Sequence, residues 1–78
     1  MKSAKELFEE LGYEQKINDK NVLMYVRDLP EDYLISVIFW LGWERINIRN
    51  NYDEELSMKL LKAINKQVEE LGWNDEKK

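Results

Sequence analysis

Apolar residues recur along this chain with two different periods. In "SAKELFEELG" (3–12), Leu7, Phe8 and Leu11 fall at i, i+1 and i+4, a narrow stripe that predicts a helix from about Ala4 to Leu11. Ser3 followed by Glu6 has the spacing of a capping box, in which hydroxyl and carboxylate each satisfy an otherwise unpaired backbone N–H. Near the other end, Leu60, Leu61, Ala63, Ile64, Val68 and Leu71 recur at three- and four-residue steps and predict a second helix. Two starts fit it: Ser57 as cap, or a start near Asp53 that would place Asp53, Glu54 and Glu55 at the positive end of the helix dipole. Between the helices the period falls to two. "NVLMYVR" (21–27), "YLISVIFW" (33–40) and "WERINIR" (43–49) are rich in β-branched and aromatic residues and read as strands. A short extended piece from Glu14 to Ile17 precedes them, "NDKN" (18–21) forms a turn, and "DLPED" (28–32) holds the only proline in a loop. The pattern predicts an α+β fold of order α-β-β-β-α: a three-stranded antiparallel sheet with both helices packed on one face. Residues 1–73 make one domain, and "NDEKK" (74–78) is a tail expected to fray.

Two near-copies, "EELGY" (9–13) and "EELGW" (69–73), sit where the helices should end. A glycine adopts the left-handed conformation of a helix C-terminus at no steric cost, and the following residue then meets the one five positions back. Those pairs are Tyr13 with Phe8 and Trp73 with Val68, both apolar. Each copy is therefore a helix stop with a hydrophobic clasp. Glu9, Glu10, Glu69 and Glu70 run against the rule, because cations are preferred at that end by ~0.3–1 kcal/mol each. They serve either solubility or an acidic surface for a partner.

Register decides what the sheet shows on its uncovered side. With Leu41-Gly42 as a two-residue loop, Trp40 pairs with Trp43, Ile38 with Arg45, Ser36 with Asn47 and Leu34 with Arg49. The alternate pairs, Val37 with Ile46 and Ile35 with Ile48, are apolar and must face the helices. If Val22, Met24 and Val26 of the first main strand also point inward, Leu23, Tyr25 and Arg27 point outward. The outward face then carries Tyr25, Arg27, Ile38, Trp40, Trp43, Arg45 and Arg49, with Leu34 beside them. All three arginines would lie there, while the nine lysines fall in helices, turns and tails. Trp, Tyr and Arg dominate binding hot spots, and Arg stacks on aromatic faces where Lys stays hydrated. Four uses of that face stay open: docking of a protein partner, burial against a second copy in a homodimer, cover by the C-terminal segment with Trp73, or plain cross-strand stabilisation.

Composition narrows the chemistry. The 78 residues, 44% of them hydrophobic, suffice for one core. Without cysteine or histidine there are no disulfides, thiolates, imidazole bases or zinc sites of the usual kind. Serines occur only at 3, 36 and 57 and threonine is missing, so no hydrolytic triad can be assembled and no catalytic residue is expected. Asp28, Glu31 and Asp32, and the run Asp53 to Glu55, lack the pattern of a calcium loop and read as solvated acids; neither metal nor cofactor is expected. The three glycines are used by two helix ends and a hairpin, which leaves none for a phosphate cradle. A net charge of −4, spread without blocks, argues against nucleic acid and anionic membrane. Stacking of single-stranded nucleic acid on Tyr25, Trp40 and Trp43 is the third functional alternative. The longest apolar run, Leu34 to Trp43, is far short of the ~20 residues of a membrane span, and "MKSAKELFEE" turns acidic where an export signal would be apolar. A cytoplasmic location is expected.

Two resemblances follow from these residues. The element order resembles that of the double-stranded-RNA-binding domain, but the second helix opens "DEELSMKLLK", acidic where that family carries a lysine cluster. More closely, "AKELFEELGYE" and "LLKAINKQVEELGW" resemble the two ends of short uncharacterised proteins of low-GC Gram-positive bacteria and their phages and prophages, with a variable middle. That resemblance implies an intracellular accessory protein acting on a host or phage component, and carries no activity.

Overall fold

The computed structural model describes residues 2–30, 34–50 and 57–73, with only the backbone of Asn50. Helix α1 (Ala4–Glu10) leads into strands β1 (Glu14–Asn18), β2 (Val22–Asp28), β3 (Leu34–Trp40) and β4 (Arg45–Asn50), and helix α2 (Met58–Leu71) follows. The four strands form one antiparallel sheet in the order β1-β2-β3-β4. The expected sheet had three. The piece at Glu14 is a full edge strand, recruited by backbone pairing to β2 more than by its side chains, most of which stay exposed. One residue, Lys16, has no opposite partner, so β1 carries a bulge between Gln15 and Ile17.

Both helices start and stop as the sequence requires. Glu6 N–H donates to Ser3 Oγ at 3.2 Å, and Ser3 N–H donates to the Glu6 carboxylate at 2.8 Å, completing the capping box. At the second helix the cap is Ser57, whose Oγ accepts the Leu60 N–H at 3.0 Å. The alternative start near Asp53 lies outside the described residues, as do Glu31 and Asp32. At the C-termini, Gly12 and Gly72 have φ of +93° and +78°. Tyr13 N–H reaches the Phe8 carbonyl at 3.0 Å and Trp73 N–H the Val68 carbonyl at 3.1 Å, while each glycine N–H bonds Glu9 or Glu69. These are two Schellman motifs. A β-carbon on Gly72 would meet nothing within 4 Å, so Gly72→Ala tests the backbone term alone. Left-handed strain of ~1–2 kcal/mol, partly offset by a stiffer unfolded chain, should leave a net loss of about 1 kcal/mol in urea unfolding. A neutral result would mean that the last turn does not need this conformation.

The four misplaced glutamates have partners. Lys5 bonds Glu9 at 3.0 Å one turn away, Lys2 bonds Glu10, and Lys66 bonds Glu69 at 3.3 Å. Glu70 crosses to the other helix, where its carboxylate accepts the Ala4 N–H at 2.8 Å. The C-terminal end of α2 thus lies at the N-terminal end of α1, so the helices run antiparallel and the Glu70 charge sits at the positive end of its neighbour's dipole.

The core lies between this helix pair and one face of the sheet. Phe8 stacks on Tyr25 with ring centroids 3.9 Å apart and meets Phe39 edge-on at 6.3 Å. Tyr13, Leu23, Ile35, Val37, Leu60, Ala63 and Ile64 complete the cluster. Trp73 reaches Phe39 at 6.1 Å, on the helix-covered side, and does not fold beneath the sheet. A relay ties the layers together: half-buried Gln15 Nε2 donates to the Tyr25 hydroxyl at 3.2 Å, and that hydroxyl donates to the buried Gln67 Oε1 at 2.7 Å. No described helix is long and apolar enough to cross a membrane.

Candidate functional site

Strand alternation assigns the face turned away from the helices residue by residue; at its centre Val26, Ser36 and Ile38 are buried. The pairs Val22 with Trp40, Met24 with Ile38 and Val26 with Ser36 point away from the helices, because the intervening pairs Leu23 with Phe39 and Tyr25 with Val37 enter the core. On β4 the outward set is Arg45 beside Trp40, Asn47 beside Ile38 and Arg49 beside Ser36, and on β1 it is Ile17 beside Met24. For β3 and β4 this is the expected parity. The register itself is two residues different: Trp40 pairs with Arg45, not Trp43, so the loop spans four residues, 41–44.

Tyr25 and Arg27 do not belong to this face. Tyr25 is 1% exposed in the core, and Arg27 pairs with the inward Ile35. "VLMYVR" is apolar on both of its alternating sets, so hydrophobicity alone could not choose between them. Ring size and hydrogen bonding chose: Tyr25 fills the space above Phe8 and has both glutamines for its hydroxyl. Arg27 lies at the rim, where a β-carbon on Gly12 would stand 3.5 Å from its Nε, beside the carbonyl end of α1 that favours a cation. Ile38 faces outward as expected, yet it is buried at 6% exposure on the central strand and serves as floor.

What the sheet does present is concentrated at the hairpin. Leu41 N–H bonds the Asn21 carbonyl at 3.0 Å and Trp43 N–H bonds the Trp40 carbonyl at 3.2 Å, fixing the turn at both ends. Glu44 completes it with φ of +54°, a left-handed conformation that costs a residue with a side chain of this kind ~1–2 kcal/mol. The result holds Trp43 at 71% exposure with its ring 5.8 Å from that of Trp40, tilted by 35°. Comparison with family models, curated proteins and solved structures finds no match.

A groove of about 250 Å³ opens between the two indoles and Asn21, Val22 and Gly42. Asn21 is placed by the preceding turn, in which Asp19 Oδ1 accepts the N–H groups of Asn21 and Val22 at 2.8 and 2.9 Å. Neither Asn21 nor Val22 was expected here, although the aspartate in "NDKN" was the signal that could have placed the first. Arg45 and Arg49 are exposed on β4 next to Trp40 and Ser36. Among the described residues no group of acids is arranged to hold a metal ion. An aromatic pair, a shallow groove and two guanidinium groups can bind and orient; they offer no nucleophile or base of their own.

Proposed function

We propose that this protein is a non-catalytic interaction module that docks a protein partner on its outer sheet face, with Trp40, Trp43, Arg45 and Arg49 as the contact residues. The observation that carries this reading is Trp43. Its side chain is held in water by a turn that accepts left-handed strain at Glu44, when a tighter loop or a polar residue would avoid both costs. Trp beside Arg is the composition of binding hot spots, where one indole in a desolvated pocket supplies much of the affinity. The resemblance of the two chain ends to phage and prophage proteins accords with an accessory role of this kind.

The test is affinity capture from the native host with the wild-type chain and with a Trp43→Ala/Arg45→Ala double variant. Both side chains are exposed, so the variant should stay folded and melt within a few degrees of the wild type while losing the captured protein. Equal recovery by both chains overturns the reading. Sedimentation from low to high micromolar concentration decides the homodimer: concentration-dependent dimerisation abolished by Trp43→Ala would assign the face to self-association. Tryptophan quenching by oligonucleotides that weakens with salt would assign it to single-stranded nucleic acid.

A further inference from the structure

The two edges of the sheet are unequally defended. An edge strand exposes a row of backbone N–H and C=O groups that another strand can pair with, and proteins block this with bulges and charges. β1 has both, with its bulge at Lys16 and the charged Glu14 and Lys16 in a strand of five residues. β4, "RINIRN", pairs with β3 over all six of its residues without a break in register. Its other side has no partner strand among the described residues. The helix layer stops short of it. Phe8, Gln67 and Trp73 reach β2 and β3, whereas Ile46 and Ile48, which point to the helix side, remain 38% and 43% exposed. On the opposite side Arg45 and Arg49 are exposed, and no carboxylate among the described residues pairs with either.

We infer that β4 is an acceptor edge for strand addition, and that its occupant is an extended acidic peptide segment in which acidic and apolar residues alternate. This inference rests on the proposed interaction face and specifies its mode and partner. A fifth strand laid against β4 satisfies the open backbone groups. With period two, its residues on one side meet Ile46 and Ile48, and those on the other lie beside Arg45 and Arg49. Apolar residues suit the first row and carboxylates the second, since opposite charges across a strand pair stabilise and like charges destabilise. The same rule counts against a second copy of this chain: a symmetric β4 pair with matching faces would gather the arginines of both copies on one side of the seam. Charge complementarity thus selects an acidic segment over self-pairing.

The probe is a synthetic peptide, acetyl-Thr-Glu-Val-Asn-Val-Glu-Thr-amide, whose glutamates match the spacing of Arg45 and Arg49 when it runs antiparallel to β4. Added to the full chain at up to 1 mM, it should slow amide exchange and shift the amide resonances along β4. Binding should weaken at least tenfold when both glutamates are lysine. It should return for that lysine peptide when the chain carries Arg45→Glu and Arg49→Glu together, with circular dichroism confirming that the variant is folded. N-methylation of the two valine amides removes backbone donors and keeps the side chains, so it should abolish binding of the glutamate peptide. Equal binding of the N-methylated peptide, no response at 1 mM, or equal binding of the lysine peptide to the wild-type chain overturns the inference. None of those results decides the capture experiment: its double variant removes Trp43, which lies outside β4, together with Arg45, and a Trp43→Ala chain read beside it separates the two contributions.

Discussion

Replacing Phe8 by alanine is expected to remove about 3–5 kcal/mol of stability, the usual cost of deleting a fully enclosed aromatic ring. Phe8 is fully buried and touches three rings at once: it stacks on Tyr25 and meets Tyr13 and Phe39 edge-on at 5.6 and 6.3 Å. It also joins the two layers, since α1 has seven residues, too few to hold a helix in water without packing. A chain of this length has roughly 4–12 kcal/mol in total, so the variant should be largely unfolded near 37 °C or melt far below the wild type. Trp43→Ala is the control. It removes a larger side chain that is mostly in water, and should shift stability by only about 0.5 kcal/mol. Chemical denaturation of both variants checks the contrast, and similar losses would mean that the core is not centred on Phe8.

Tyr25→Phe should cost about 1–3 kcal/mol at neutral pH, because it leaves the buried Gln67 oxygen without its donor and a half-buried Gln15 N–H without its acceptor. The loss should depend on pH. Burial raises the Tyr25 phenol above its ordinary pKa; the hydrogen bond from Gln15 opposes this, and the nearby charges of Glu70, Lys5 and Glu9 contribute less. The unfolded chain releases this proton near pH ~10 while the folded chain still holds it. Above that pH the unfolded state binds fewer protons, so the stabilisation is fully present below pH ~10 and is lost as pH rises towards the folded-state value. Denaturation of wild type and variant at pH 7 and pH 11 should show a smaller difference at the higher pH. An unchanged difference would mean that the phenol titrates alike in both states.

The parts of this fold that are written locally could be read from the chain. Capping at Ser3, stopping at Gly12 and Gly72, and the inward run of Ile35, Val37 and Phe39 each depend on residues within one turn or on one strand. Choices settled between distant segments could not. The parity of β2 was decided by Phe8 and Gln67, which lie seventeen and forty-two residues from Tyr25. The piece from Glu14 to Ile17 is legible as extended, but its membership of the sheet is not, because "EQKIN" carries no alternating apolar signal and its place comes from backbone pairing. The role of Glu70 is of the same kind: its partner is the Ala4 N–H, sixty-six residues away. Of the expected contact residues, Trp43, Arg45 and Arg49 are exposed beside a half-buried Trp40, Ile38 lies beneath them, and Tyr25 and Arg27 belong to the helix side. Both parity errors fell on β2, whose inward set ends in Arg27 and whose outward Val22, Met24 and Val26 are all apolar.

The bulge at Lys16 limits what capture at β4 can lead to. Of this chain's own two edges, a molecule that has accepted a strand at β4 keeps only the kinked first strand, and that surface is a poor template for the next arrival. Copies of this chain therefore do not readily stack edge to edge through β1, which favours discrete complexes over open-ended fibres of the protein itself.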